Sequence, residues 1–303
     1  AYTPYQAEIS QGILQSIFEY QTMICELTGM DASNASIYDG ATAAAEAAAM
    51  CRDRKRSTVY VSGAANPGVI EVIKTYCFGS NTKVIIVPEE CGVTDADALA
   101  RMMKEDAQAA CFYVQQPNYF GNMEDGDVLG RIVHDAGAKY IMGCNPMALG
   151  IMKTPAGYGA DIAVGDGQPL GMPLAFGGPY LGFMAATAAM GRKLPGRIVG
   201  ETKDDKGERA FVLTLQAREQ HIRREKASSN VCSNQAWCAL TASVYMTAMG
   251  ADGMAEAAAQ CMSKAHYLRD VLKEAGLEPK HDREFFHEFV TVSPEGRCTD
   301  SNH

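Results

Sequence analysis

Apolar positions follow a helical repeat at the start of the chain and then break into short runs. Ile9, Ile13 and Ile17, with Leu14 and Phe18, recur at helical spacing, while Gln15, Glu19, Thr22 and Glu26 fill another face. Thr3 can cap, Pro4 suits the first helical position, Gln6 can complete a capping box, and Gly29 is a stop signal. The pattern predicts one long amphipathic helix from Pro4 to Thr28. Asp39 or Thr42 can cap a second helix, made almost wholly of alanine up to Met50.

Beyond that point strands and helices alternate. Val59–Ser62, Lys83–Val87, Cys111–Gln115, Lys139–Met142 and Ile162–Gly165 read as strands. Pro67–Cys77, Asp95–Ala107 and Val128–Ala136 read as helices between them, and Leu181–Ala186 is a further apolar run. Such alternation predicts crossover units, a mostly parallel sheet and an α/β fold class. Functional loops should gather at the strands' carboxyl ends: Ser62–Asn66, Gln116–Gly121, Gly143–Met147 and Gly165–Gly171. Further on, Gln235–Met249 is an apolar helix and Ala251–Gly276 a long helix leading into a second domain. Phe285–Val292 is expected to be that domain's first strand.

Composition narrows the function. The chain has 303 residues, 47% hydrophobic and 21% charged, as expected of a globular protein with a large core. A net charge of −9 and a pI of about 5.2 argue against nucleic-acid or anionic-membrane partners. No run approaches the ~20 apolar residues of a membrane span, and no secretory signal is visible. The ten cysteines are dispersed and never form Cys-x-x-Cys, which fits buried, reduced thiols in a cytoplasmic protein. The chain begins at Ala1 without a Met and stops at Thr299-Asp-Ser-Asn-His303 with no closing element, so it is expected to be part of a longer polypeptide.

Some chemistries are absent. Gly165, Gly167 and Gly171 stand one residue too far apart for a dinucleotide fingerprint, and Pro169 falls where its helix should begin. The histidines show no metal spacing, and neither a Gly-x-Ser-x-Gly elbow nor a P-loop occurs. Two anion sites are conceivable. The bare amides at the start of the alanine helix could hold a phosphate, or that helix is simply tightly packed. The charge-dense stretch Leu215–Asn230 could be a solvated face, yet it ends in Ser228-Ser229-Asn230 before another helix and brings Arg218, Arg223, Arg224 and Lys226 to that point. Tyr2 and Tyr5 either reach a neighbouring surface or pack inward.

Several long motifs carry a family likeness. Tyr2-Thr-Pro-Tyr-Gln-Ala-Glu-Ile-Ser-Gln-Gly12, Phe18-Glu-Tyr-Gln-Thr-Met23, Tyr38-Asp-Gly-Ala-Thr-Ala-Ala-Ala-Glu46, Gly165-Asp-Gly-Gln-Pro-Leu-Gly171, Phe176-Gly-Gly-Pro-Tyr180 and Arg218-Glu-Gln-His-Ile-Arg-Arg-Glu-Lys226 resemble the P-protein family of the glycine cleavage system, glycine dehydrogenase (decarboxylating). The likeness is closest to its α-type subunits. It implies the aspartate-aminotransferase-like fold of pyridoxal-phosphate (PLP) enzymes, fold type I. Residues 1–253 would form the large α/β domain, lacking an N-terminal portion, and residues 254–303 a linking helix and the start of a small C-terminal α+β domain.

The same resemblance makes one absence informative. Enzymes of this fold hold PLP as a Schiff base on a lysine, and in the family's catalytic half that lysine follows the strand matched here by Ile162–Gly165. This chain has Gln168 in that loop, and its nearest lysines in sequence are Lys153 and Lys193. Asn145 stands where related subunits tend to have an aspartate against the pyridine nitrogen. The resemblance therefore implies a vestigial pocket of Gly40, Ala41, Thr42, Asn145 and Gln168, with no catalytic residue, no metal and no covalently bound PLP. A lysine-bearing β-type subunit would hold the PLP, glycine would be decarboxylated there, and the aminomethyl group would pass to the lipoyl arm of H-protein. Tyr2, Tyr5, Gln6, Arg218, Arg223, Lys226, Ser229 and Asn230 are the expected interface or active-site mouth. Two alternatives are a self-sufficient PLP enzyme using a lysine of its own and a pure scaffold subunit.

Overall fold

A computed structural model describes residues 3–231 and 234–292, so Tyr2 lies outside the described residues. The first helix differs from expectation. Thr3–Tyr5 forms a single 3₁₀ turn, the Gln6 carbonyl accepts from the amides of Ile9 and Ser10, and helix α1 runs only over Gln11–Thr28. Burial explains the late start. Tyr5 turns inward to 8% exposure beside Leu14, Ile17 and Phe211, whereas continuing the helix would extend it past Ile9, which is 68% exposed. Burying an aromatic ring stabilises more than another exposed turn of short helix. The stop at Gly29 is as expected, at φ 72° with its amide on the Cys25 carbonyl.

After strand β1 (Ala32–Ser33) comes α2, Gly40–Cys51. Its start is fixed reciprocally. The Thr42 amide donates to Asp39 Oδ1 at 2.8 Å, and the Asp39 amide donates to Thr42 Oγ1 at 3.1 Å. Replacing Asp39 by alanine is expected to cost about 1 kcal/mol, read as a lower urea midpoint, with Asp39→Ser near wild type.

The alternating units follow in order: β2 (Thr58–Ser62), α3 (Pro67–Gly79), β3 (Val84–Val87), the small β4 (Glu89–Glu90) and β5 (Val93–Thr94), α4 (Ala96–Glu105), β6 (Ala109–Gln116), α5 (Gly126–Asp135), β7 (Lys139–Cys144), β8 (Ile162–Asp166) and β9 (Gly182–Ala186). The central sheet has the order β1-β9-β8-β7-β6-β2-β3. Strands β3, β2, β6, β7 and β8 are parallel; at one edge β9 runs antiparallel to β8, and β1 pairs antiparallel with β9. Alternate side chains feed two cores. Tyr60, Phe112 and Tyr140 pack with Tyr20 of α1, Leu99 of α4 and Val133 of α5, while Val59, Cys111 and Ile141 pack on the other face against the alanines of α2 and Ile73 of α3.

Helix α6 (Ala188–Gly191) leads to a hairpin that the sequence pattern did not reveal, β10 (Val199–Lys203) and β11 (Arg209–Leu213). Its exposed face is polar, so its alternation is weak. It is held to α1 by Phe18 on Phe211, with ring centroids 5.4 Å apart, and by Gln11, whose side chain bonds both backbone groups of Phe211. Short α7 (Gln220–Arg223) lies in the charge-dense stretch. Last is α8, Ala236–Glu274, broken at Gly250 (φ 63°, ψ −179°), where the sequence separates two helices.

Phe285–Val292 is not a strand. It makes only isolated bridges, Asn122 with Phe285 and Pro279 with Thr291, while Met123 donates to the Glu284 carbonyl at 2.9 Å. Phe285 and Phe286 are buried, Phe286 against Ala148 and Ala258, so within the described residues this apolar run packs inward through its phenylalanines. Among the described residues, no helix is long and apolar enough to cross a membrane.

Candidate functional site

The carboxyl ends of β2, β6, β7 and β8 open into a cleft of about 820 Å³. Gly40 and Ala41 of α2 form one wall, with Asn66, Gln115, Asn145 and Gln168 contributed by strand ends and loops. Three of the four expected loops thus meet here. Gln116–Gly121 does not line the cleft; it folds against the C-terminal segment, where a Cβ at Gly121 would overlap the Glu288 backbone.

Each residue of the expected pocket has a definite place. Gln168 is half-buried, and its Nε2 donates to the Met172 carbonyl at 2.7 Å, tying its own loop together. Asn145 accepts the Met147 amide on Oδ1 at 2.9 Å, a local turn that leaves it on the cleft wall. Gly40 and Ala41 line the cleft, and Thr42 is engaged in the cap. Lys153 and Lys193 are occupied elsewhere. Lys153 Nζ donates to Asp127 at 2.6 Å, and Lys193 Nζ donates to the Met50 carbonyl at 3.3 Å.

The residue that sequence reasoning missed is Asp166, at the end of β8. Its Oδ1 accepts the Gln168 amide at 2.9 Å, and its Oδ2 accepts the Gly40 amide at 3.2 Å. Burial pushes its carboxyl above the usual range, against the pull of those two amides, and the Asp39 charge adds to the rise. Its only sequence signal was a carboxylate between two glycines at a strand end. Among the described residues lining the cleft, the charged side chains are Asp39, Asp166 and Glu288, with no lysine or arginine.

The described residues of the expected mouth lie apart from this cleft. Tyr5 is internal; its hydroxyl bonds Asn234 Oδ1, the Arg197 guanidinium stands 5.6 Å from its ring, and burial pushes its pKa up to about 12. Gln6 is exposed. Arg218 is half-buried and donates to the Gly196 carbonyl at 2.9 Å. Arg223, Lys226 and Asn230 are exposed, and Ser229 Oγ accepts the Val231 amide at 3.1 Å. None of them lines the cleft. The charge-dense stretch is rooted by an ion pair that sequence reasoning missed, Arg197 to Glu219 at 2.6 Å. Glu46, buried among the alanines of α2, also meets Ser229; burial raises its carboxyl and the serine hydroxyl opposes the rise.

Residues 1–302 match the family model described as glycine cleavage system P-protein. This chain belongs to the glycine cleavage system P-protein family. It is 53% identical over 292 residues to a probable glycine dehydrogenase (decarboxylating) subunit 1 of Brevibacillus brevis, covering 96% of this chain and 64% of that protein. The counterpart in Carboxydothermus hydrogenoformans is 53% identical over 291 residues, covering 96% and 65%. The chain therefore spans just under two thirds of these relatives' length. The crystal structure of a glycine decarboxylase P-protein in inhibitor-bound form superposes with a TM-score of 0.91 at 44% identity, covering 97% of this chain and 67% of that one. More distant neighbours share the fold alone. They include an aspartate aminotransferase from Thermus thermophilus, with a TM-score of 0.66, 17% identity and coverage of 97% and 78%, and a pyridoxamine-pyruvate aminotransferase from Mesorhizobium loti, at 0.65, 16%, 97% and 71%. The chain thus has the PLP-dependent transferase fold type I, with its α/β sheet mostly parallel as expected.

That fold family implies PLP, and the cleft residues do not fit it. An imine needs an amine, and Gln168 offers an amide already committed to Met172. A phosphate needs free donors and positive charge, yet the described lining residues carry three carboxylates and no cation.

Proposed function

We propose that the chain is the non-catalytic subunit of a heteromeric glycine decarboxylase. The observation that carries this reading is a fold-type-I cleft lined by Gln168, Asn145 and three carboxylates, without a lysine among the described lining residues. The partner is a lysine-bearing β-type subunit that holds the PLP, and the PLP there supplies the electron sink for losing CO2 from glycine. The aminomethyl group then passes to the lipoyl arm of H-protein. In this reading the assembly is cytoplasmic. Residues 1–253 are the large domain of this subunit, and residues 254–303 begin the small one.

This chain's own residues hold structure rather than protons. Gln168 fixes the loop after β8, Asn145 fixes the loop after β7, and Arg197 with Glu219 roots the segment that carries Arg223 and Lys226 at the surface. That segment, with Gln6 and Asn230, is offered to the partner. A self-sufficient PLP enzyme is disfavoured because both lysines nearest in sequence are bonded away from the cleft.

Borohydride reduction of the assembled complex, followed by peptide mapping, tests the assignment. A pyridoxyl mark is expected on a lysine of the partner and none on this chain. A stoichiometric pyridoxyl-lysine anywhere in this chain would overturn it.

A further inference from the structure

The start of a helix such as α2 has amides to offer an anion. Here those amides are spoken for by the chain's own oxygens, carboxylates among them. Asp39 Oδ1 takes the Thr42 amide at 2.8 Å, and the Asp39 carbonyl takes the Ala43 amide at 3.0 Å. Asp166 Oδ2 reaches across from the end of β8 to take the Gly40 amide at 3.2 Å. The Ala41 amide alone remains in that first turn. The approach is also tight, since a Cβ on Gly40 would lie 2.8 Å from the Asp166 nitrogen and 3.0 Å from the Gly165 carbonyl carbon.

We infer that Asp166 is the residue that closes this cleft to phosphate-bearing molecules, by seating its carboxylate where a phosphate would otherwise sit on α2. The inference rests on the reading of this chain as the subunit without its own PLP, and it names the side chain that enforces that state. Two physical effects act together. The seat on the Gly40 amide is filled, and the positive end of the helix dipole is already balanced by Asp39 and Asp166. An incoming phosphate would meet those two charges and Glu288, which also lines the cleft, with no cation among the lining residues described.

The test compares the full-length wild-type chain with Asp166→Ser and Asp166→Asn. The probes are inorganic phosphate, PLP and the dephosphorylated pyridoxal, measured by calorimetry and equilibrium dialysis. Asp166→Ser frees the amide and removes the charge; it is expected to bind phosphate and PLP at least about tenfold tighter than wild type, or about 1.4 kcal/mol. Phosphate should compete with PLP for that site, and pyridoxal binding should not change. Asp166→Asn keeps one acceptor oxygen, enough for the Gln168 or the Gly40 amide but not both, and loses the charge, so it should gain less. Circular dichroism establishes which variants fold, and if the serine variant does not, the asparagine variant decides. Wild-type phosphate binding equal to that of a folded variant, or no gain in either folded variant, would overturn the inference. A pyridoxyl-lysine in the reduced wild-type chain would sink the underlying reading instead, so the two failures are distinguishable.

Discussion

Replacing Arg197 by alanine is expected to destabilise the fold by about 3–5 kcal/mol, because it strands a buried carboxylate. Arg197 Nη1 lies 2.6 Å from Glu219 Oε2, and the two side chains are only 6% and 2% exposed. Burial pushes the Glu219 carboxyl above its usual range even though Arg197, His221 and Arg218 all pull it down. Desolvation thus outweighs attraction, and the intact pair adds little net stability. Removing one partner is different, since the remaining charge keeps its desolvation cost and loses its compensation. The double change Arg197→Met with Glu219→Leu should recover most of the loss. The sign with pH follows from the raised carboxyl. A group that holds its proton more tightly when folded costs stability as pH rises through its folded pKa, and that cost disappears below the unfolded value. The Arg197→Ala deficit should therefore shrink on acidification. Guanidinium unfolding at neutral and mildly acidic pH measures both effects. A deficit under about 1 kcal/mol at neutral pH, or one that grows in acid, would contradict this account.

What was legible in the sequence was what depends on neighbours in sequence. Asp39 and Thr42 stand three apart, so their reciprocal cap could be read directly. Gly29 and Gly250 interrupt helical runs, and both occur where the backbone takes positive φ. The period of the apolar runs indicated the parallel sheet and therefore the end at which the cleft opens. Contacts between distant residues had no such trace. Asp166 meets Gly40 only because β8 ends beside the start of α2, and Tyr5 meets Asn234 only once α1 and α8 have packed. The polar hairpin of β10 and β11 lacks a strong alternation, and apolar Phe285–Val292 looks like a strand although its phenylalanines pack inward. The family resemblance located Gln168 and Asn145 in the cleft loops, but not the carboxylates that give the cleft its charge.

Gly182→Ala should cost about 3 kcal/mol, a large effect for one methyl group, and it should reach the cleft. Gly182 lies in β9 opposite Asp166 of β8, and it exchanges both backbone bonds with Ile37, at 2.7 and 3.1 Å. A Cβ there would overlap the Asp39 carbonyl oxygen and lie 2.8 Å from the Asp39 carbonyl carbon and 2.9 Å from its nitrogen. Those are backbone atoms, so no side-chain rotation relieves the clash. The Asp39 carbonyl is also the acceptor for the first intrahelical bond of α2, from Ala43 at 3.0 Å. Moving it shifts the cap and, with it, the Gly40 amide that Asp166 holds. Stability and cleft geometry are coupled through that one close approach. The control is Gly12→Ala in α1, where nothing lies within 4 Å of the new Cβ. There the change should stabilise by about 0.4–1 kcal/mol, through lower entropy of the unfolded chain. Urea midpoints for the two variants should move in opposite directions. A Gly182→Ala midpoint at or above wild type would show that β9 and Asp39 can separate without penalty, and the coupling drawn here between strand, cap and cleft would fail.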